Sequence, residues 1–336
     1  MKLYSFLRKL VSEKNKGRLT RLLYYIGLKP TCNNQAKSPF SKGIIIFSAD
    51  FEMSWAFRFS KKKQNISEQL GLQERYNVPI LLELFDKYKI PVTWATVGHL
   101  FLDQCNIEDN NLPHSNMPRP DFFENKNWFY KAGDWYAHDP CSNVERSPGW
   151  YAPDLIKKIL EADTQHEIGC HTFSHIDCTE KNCSPELFLA EITKCKSLAE
   201  KRNLFLKSMV YPGGTIGNLT LLKLYGFTSY RKPMKFDIDM PKIHDDGLIA
   251  LPSTLGLDKD PYGWSKEFHL YRIRKLLQKT LKKRMMCHLW FHPSMDKWYI
   301  KNVFPLILEE VALLRDKGKL DIFTMEQAAE VSHKLL

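Results

Sequence analysis

The segment GIIIFSADFE, residues 43–52, is the most informative part of the chain for its fold class. The run Gly43–Ala49 is apolar except at Ser48 and rich in β-branched residues, which predicts a buried β-strand. Asp50 and Glu52 follow, so two carboxyl groups stand where this strand ends. In barrels of parallel strands, this end carries the catalytic residues. Acids at such a position also occur as helix caps or solvated loop charges, and the segment alone leaves these alternatives open.

On the carboxyl-terminal side of this segment, short apolar runs alternate with helical patterns. Six further strands are predicted, at Val92–Val97, Glu167–Cys170, Ser208–Tyr211, Ile249–Pro252, Met286–Phe291 and Leu320–Phe323. Helices are predicted at Pro79–Tyr88, Pro153–Ala162, Pro185–Lys201, Leu219–Tyr225, Lys266–Lys283, Val303–Lys317 and Met325–Lys334. Strands that alternate with helices of this length indicate an α/β fold around a parallel sheet or barrel.

The positive charge of the chain is concentrated at its amino terminus. Residues 1–42 hold ten Lys or Arg and one Glu, a net charge of +9 out of +11 for all 336 residues. We therefore divide the chain into a basic extension, residues 1–42, and a nearly neutral body, residues 43–336. A terminal charge of this kind argues against a nucleic-acid partner, which needs basic residues along a binding face.

The basic extension has the pattern of an amphipathic helix. Apolar residues at positions 3, 6, 7, 10 and 11 follow helical spacing, with Lys and Arg on the other faces. Residues 1–30 are therefore expected either to contact an anionic membrane or to dock on the body of the protein. No apolar run approaches the ~18 residues of a membrane span, and no secretory signal is evident. We expect a cytoplasmic protein, peripheral at the inner membrane if the helix binds lipid.

A long irregular stretch at about 103–150 is rich in aromatic residues and reads as an insertion in the body. An aromatic wall over a polar cleft would suit a sugar ring. Packing of the same rings over the rim of the barrel is the alternative, and the sequence does not separate the two.

Histidines stand at two other predicted strand ends. His171 and His175 follow the strand Glu167–Cys170 with a spacing of four residues, which lets both bind one cation if the backbone there is helical. His292 ends the strand Met286–Phe291. Carboxylates and histidines at one edge of a sheet fit metal-assisted hydrolysis of an amide or ester, although each motif alone also fits a purely structural role.

Five segments, in this order, resemble the polysaccharide deacetylase superfamily (carbohydrate esterase family 4, with the nodulation-type chitooligosaccharide deacetylase domain). They are SADFE at 48–52, HEIGCHTFSH at 166–175, MVYPGG at 209–214, GFTSYR at 226–231 and HLWFHP at 288–293. The resemblance covers roughly residues 43–324. It implies a distorted (β/α) barrel, here with about seven parallel strands, and a divalent metal ion, with Zn²⁺ as the first expectation.

The resemblance also implies a role for each motif residue. Glu52, His171 and His175 would bind the metal, and Asp50 would be the general base. His292 would be the general acid that protonates the departing sugar amine, and the Tyr211 backbone N–H would help to hold the oxyanion.

The chain departs from the family pattern at two points. The adjacent aspartates of the family are replaced by Asp50 and Glu52 with Phe51 between them, as in an Asp-x-Glu branch, so that the two acids could exchange roles. The arginine expected before the proline motif is absent, and Arg231 is expected to replace it in orienting the base.

These features predict a metal-dependent deacetylase for an acetylated sugar or glycan, nucleotide- or lipid-linked, in cell-surface polysaccharide synthesis of the O-antigen or capsule type. A hydrolase of another C–N amide, such as a cyclic ureide, and a catalytically silent carbohydrate-binding or assembly protein are the alternatives.

Overall fold

The computed structural model describes residues 38–107, 112–234, 236–260 and 262–335, with isolated positions before residue 23. The amphipathic helix predicted at residues 1–30 therefore lies largely outside the described residues. Within the described part of the chain, no helix has the length and hydropathy needed to cross a bilayer.

A curled sheet of ten strands forms the centre of the fold. Its strands are β1 (Gly43–Phe51), β2 (Thr93–Thr96), β5 (Glu167–Cys170), β6 (Ser208–Met209), β7 (Ser229–Arg231), β8 (Lys242–Ile243), β9 (Ile249–Leu251), β10 (Leu255–Gly256), β11 (Met286–Phe291) and β12 (Leu320–Phe323). Their spatial order is β10-β11-β1-β2-β5-β6-β7-β9-β8, with β12 beside the first half of β1. Only the pairing of β8 with β9 is antiparallel in this described sheet. A short hairpin, β3 (Phe123–Glu124) and β4 (Phe129–Tyr130), stands apart.

Helices cover the sheet. They are α1 (Ser67–Tyr88), α2 (Pro153–Leu160), α3 (Pro185–Glu200), α4 (Leu219–Leu224), α5 (Lys266–Lys283), α6 (Lys297–Asn302), α7 (Phe304–Asp316) and α8 (Met325–Leu335). The chain thus forms the distorted (β/α) barrel expected from the sequence, in the form of a half-barrel.

All seven predicted strands are present, and the sheet holds three more. The additional strands β7, β8 and β10 have only two or three residues each. Runs this short carry too few residues for a period-2 pattern, so the parallel strands number nine where about seven were expected.

Strand β1 lies at the centre of the sheet and is buried along its whole length. Ile45, Phe47 and Ala49 pack into the main hydrophobic core. Ile44 and Ile46 pack on the opposite face, in a second cluster that includes residues of α8. A strand covered on both faces reads as a continuous apolar run, which explains the pattern of residues 43–49.

The prediction that the first long helix begins at Pro79 was wrong. Helix α1 begins at Ser67 and contains Pro79 in its interior. Its first half includes the buried polar residues Glu74 and Asn77, which interrupt the apolar pattern on the inward face. Gly71 is required here, because a Cβ would lie 2.5 Å from the Gly149 carbonyl oxygen. The buried polar side chains of this face form hydrogen bonds with loops of the site described below.

The aromatic insertion packs over the rim of the barrel. Trp128, Tyr130, Trp135 and Tyr136 are buried, and the Trp135 ring stacks on Phe59 with centroids 4.8 Å apart. Rim packing, one of the two alternatives for this stretch, thus fits Tyr130, Trp135 and Tyr136, whereas the Trp128 ring also packs against His175.

Candidate metal and catalytic site

Residues from five strand ends meet at the carboxyl edge of the sheet. They are Asp50 and Glu52 at the end of β1, His171 and His175 after β5, Tyr211 after β6, Arg231 at the end of β7, and His292 after β11. This meeting follows from the parallel sheet, because parallel strands present their carboxyl ends on one side.

Glu52 and the two histidines form a tight buried group. The Glu52 Oε2 atom lies 3.1 Å from His171 Nε2 and 3.1 Å from His175 Nε2. All three side chains are at most 5% exposed. Two imidazoles and a carboxylate form the ligand set of many catalytic zinc sites, in which a fourth position stays open.

The hydrogen bonding of His171 indicates that a cation fits between these groups. Its Nδ1–H donates to the Val210 carbonyl oxygen at 2.7 Å. In the neutral tautomer this leaves a bare Nε2 lone pair facing the Glu52 carboxylate, and two acceptors at 3.1 Å repel one another unless a cation lies between them. The Val210 contact is also of the kind that orients a metal-binding histidine.

The histidines do not converge by helical spacing, contrary to the condition stated for the sequence. Residues 171–178 form no helix, and Thr172 and His175 have left-handed backbones with φ of 58°. Two left-handed residues in the loop, rather than one helical turn, bring the imidazoles to Glu52. His175 then packs against the Trp128 ring at a centroid distance of 5.2 Å.

Asp50 lies beside this group and is held by Arg231. Arg231 Nη1 and Nη2 donate to the two Asp50 carboxylate oxygens at 2.6 Å each. Burial by itself raises the pKa of Asp50, but the Arg231 guanidinium outweighs it, and the pKa stays below its usual value. The Asp50 carboxylate is therefore kept ionised in a buried position.

His292 is the exposed member of the site. Its side chain is 36% exposed, and its Nε2 lies 3.3 Å from Glu52 Oε1 and 3.9 Å from Asp50 Oδ2. Because the other side chains are buried, His292 is the one that a ligand entering from solvent meets first.

Tyr211 begins the turn after β6, where Gly213 and Gly214 both have positive φ. Its hydroxyl donates to the Gly217 carbonyl oxygen at 2.8 Å. The phenol therefore anchors the turn, and any contact with a ligand falls to the backbone.

Helix α1 supports the site with residues that sequence reasoning missed. Glu74 accepts a hydrogen bond from the Glu52 backbone N–H at 2.9 Å. Gln73 and Asn77 donate to carbonyl oxygens of the loop after His292, including Pro293 and Met295. One helix face thus positions both Glu52 and His292. In the sequence, the only sign of this supporting role is that these polar residues stand on the face of α1 that turns inward.

Arg58, which sequence reasoning also missed, connects two loops of the site. It is 2% exposed and donates to the carbonyl oxygens of Trp55 and Ser174. Its guanidinium carbon lies 4.3 Å from the Trp135 ring centroid. Burial lowers the pKa of Arg58 to about 9, so its charge is still retained at neutral pH. Ser174 is also fixed by Glu191, which accepts from both its N–H and its hydroxyl.

His288 lies behind the site, where it supports other side chains, and does not line the open face. It is fully buried, and its Nε2 accepts from the Ser48 hydroxyl at 2.8 Å. Ser48 in turn accepts from Arg231 Nη1 at 2.9 Å. Burial first, and then the charge of Arg231, hold the pKa of His288 well below its usual value.

Comparisons with known proteins agree with this architecture. A family model described as polysaccharide deacetylase matches residues 71–230. No curated protein matches the sequence. Among solved structures, a Mycobacterium smegmatis protein assigned to the polysaccharide deacetylases superimposes with a TM-score of 0.58 at 15% identity, covering 89% of this chain and 93% of that one. Puue allantoinase gives 0.55 at 13% identity, covering 91% and 97%. At these identities, the structural likeness shows the fold. The polysaccharide deacetylase family model thus matches the stretch 71–230 of this chain, and the chain shares the fold of these solved structures.

Proposed function

We propose that the protein is a metal-dependent hydrolase that removes an acetyl group from the nitrogen of a sugar. The observation that carries this proposal is the convergence of two histidine Nε2 atoms on Glu52 Oε2, with Asp50 on one side and the exposed His292 on the other. Glu52, His171 and His175 would hold the metal, with Zn²⁺ as our first choice for this donor set. A divalent metal there would supply Lewis-acid chemistry for water and the acyl carbonyl.

The two proton transfers of the reaction fall to Asp50 and His292. Asp50, kept ionised by Arg231, accepts the proton of the attacking water. His292 donates a proton to the departing amine, a general-acid step that enzymes most often assign to histidine. The Tyr211 backbone N–H, at the start of the turn after β6, would donate to the developing oxyanion.

For the substrate, we propose an acetylated sugar or glycan that is met in the cytoplasm before export, linked to a nucleotide or a lipid. Synthesis of a cell-surface polysaccharide of the O-antigen or capsule type would supply such a substrate. The basic charge of residues 1–42 supports this proposal, because it would favour an anionic membrane surface.

Hydrolysis of a cyclic ureide is the second candidate, since Puue allantoinase shares the fold. Activity of the metal-loaded protein on N-acetyl sugars, O-acetyl sugars and allantoin separates the candidates. We expect acetate release from an N-acetyl sugar and no turnover of allantoin. Turnover of allantoin alone would overturn the proposal, and inactivity on the whole panel would favour a silent carbohydrate-binding protein.

Replacement of Arg231 is expected to move the acid limb of the pH profile. Burial raises the pKa of Asp50 and Arg231 lowers it, so in Arg231→Gln burial is opposed only by the smaller effects of His171 and His292, and the pKa rises. Since Asp50 must be ionised to accept a proton, the acid limb of kcat/KM should shift to higher pH by about one to three units. Arg231→Lys, which restores the charge, should recover part of the shift. An unchanged acid limb in Arg231→Gln would contradict the role of Asp50 as base.

Deletion of residues 1–30 tests the proposed membrane contact. This segment contains eight Lys or Arg, each worth about 1 kcal/mol near an anionic surface. We expect the full chain to sediment with anionic vesicles and not with neutral ones, and the shortened chain to stay in the supernatant with its activity intact. Sedimentation of the shortened chain with anionic vesicles would show that the body carries the contact.

A further inference from the structure

A second group of metal-binding side chains lies outside the site described above. Its members, which we call the insertion cluster, are His99, Cys105, His114 and Asp139. His99 follows β2, and the other three lie in the aromatic insertion. All four residues are at most 7% exposed, and their ligand atoms lie within 4.8 Å of one another.

Three polar atoms converge on one oxygen of Asp139. His99 Nε2 and His114 Nε2 each lie 2.9 Å from Asp139 Oδ2, and Cys105 Sγ lies 3.4 Å from the same oxygen. A carboxylate oxygen has about two lone pairs, so three donors exceed what it can accept. A single cation in the middle satisfies all four side chains.

The distances fit a tetrahedral zinc site. Zinc binds nitrogen and oxygen at about 2.0–2.2 Å and sulfur at about 2.3 Å, which separates tetrahedral ligand atoms by about 3.3–3.8 Å. The three contacts to Asp139 Oδ2 and the contact between Cys105 Sγ and His114 Nε2 lie at 2.9–3.4 Å, and all ligand atoms of the insertion cluster lie within 4.8 Å of one another. These four contacts are therefore within about half an ångström of the required separation.

The charge balance of the insertion cluster and the hydrogen bonds around Asp139 also favour a bound metal ion. A divalent ion with one thiolate and one carboxylate is neutral, which removes the cost of burying the Asp139 charge. The other carboxylate oxygen, Oδ1, accepts from the Tyr151 hydroxyl and the Cys141 N–H at 2.9 Å each. These contacts orient Asp139 and leave Oδ2 for a metal, as outer partners of metal ligands do.

We propose that the insertion cluster is a second metal site that binds a structural zinc ion. Four buried protein ligands close the site, which is typical of structural rather than catalytic zinc, and the thiolate favours zinc over magnesium or calcium. The ion would join the start of the insertion to the end of β2. It would also support the catalytic edge, because the His99 ring packs on Trp55 at 4.2 Å, three residues after Glu52.

The test is metal content together with the spectrum of the cobalt-substituted full chain. Co²⁺ bound to a thiolate gives a sulfur-to-metal charge-transfer band, and the Glu52 site has no sulfur ligand. We expect this band in the unmodified protein and in Glu52→Gln, so the result does not depend on the proposed function. With zinc, the unmodified protein should hold about two ions and Cys105→Ser about one.

Cys141→Ser is the matched control, because the Cys141 thiol lies beside Cys105 and its backbone N–H donates to Asp139 Oδ1, but Cys141 is not one of the proposed ligands. It should keep both the band and the full zinc content. The absence of a thiolate band in the unmodified cobalt protein would overturn the proposal without the need for any variant. A Cys105–Cys141 disulfide in the purified protein, or a band that survives in Cys105→Ser, would overturn it as well.

Discussion

Asp50→Asn is expected to lower kcat for deacetylation by about 10²–10⁴-fold while the Glu52 site keeps its metal. The amide preserves the size of the side chain and one of its two hydrogen bonds with Arg231, but it cannot accept the proton of the attacking water. Asp50 makes no contact with His171 or His175 as short as the 3.1 Å contacts of Glu52, so the proposed ligand set is unchanged. Steady-state kinetics and metal analysis of the same sample measure both quantities.

Two outcomes bear on the assignment of Asp50. Loss of metal in Asp50→Asn would show that Asp50 is a ligand, and kcat within a few-fold of the unmodified enzyme would show that it is not the base. Thermal unfolding of the variant serves as the control, because Asp50→Asn leaves the buried Arg231 without its carboxylate partner.

Glu52→Gln is expected to have the opposite effect on metal content. Both histidines approach the same Glu52 oxygen, and the neutral amide removes the charge that holds a cation there. Outer partners of metal ligands change affinity by about 10–100-fold, so loss of a direct ligand should exceed the upper end of that range. Titration of zinc into metal-free protein, with acetate release measured in parallel, tests this expectation.

These two variants therefore distinguish the role of Asp50 from that of Glu52. If Glu52→Gln keeps its zinc affinity and loses only turnover, whereas Asp50→Asn loses zinc, the roles are exchanged. The Asp-x-Glu spacing in the sequence allows that exchange. The geometry favours Asp50 as the base and Glu52 as the ligand, because Arg231 already occupies both oxygens of Asp50.

The strand ends of this fold could be predicted because a strand buried on both faces appears in the sequence as a continuous apolar run. The segment 43–52 combines a continuous apolar run with acids, and the structure places those acids at the carboxyl edge. The first half of α1 could not be predicted, because its inward face carries Glu74 and Asn77, which look like solvent-facing residues in sequence. Their partners are loops distant in the chain, and no local pattern reports such contacts.

The histidine pair was found for an incomplete reason. Its spacing brings the two rings together only if the backbone there is helical, but left-handed residues at 172 and 175 produce the convergence instead. The insertion cluster could not be predicted from the sequence, since its ligands span residues 99–139 without a regular spacing. Sites assembled from loops depend on tertiary contacts, whereas sites at strand ends follow from the order of the elements.

Acetate release from N-acetyl sugars, both nucleotide- and lipid-linked, by protein stripped of metal and then titrated with zinc, tests the proposed activity. We expect release to be absent in the stripped protein, to appear as zinc fills the Glu52 site, and to remain absent in Glu52→Gln. Acetate release that is equally fast in the stripped protein, or that Glu52→Gln retains, would contradict a metal-dependent deacetylase built on Glu52, His171 and His175.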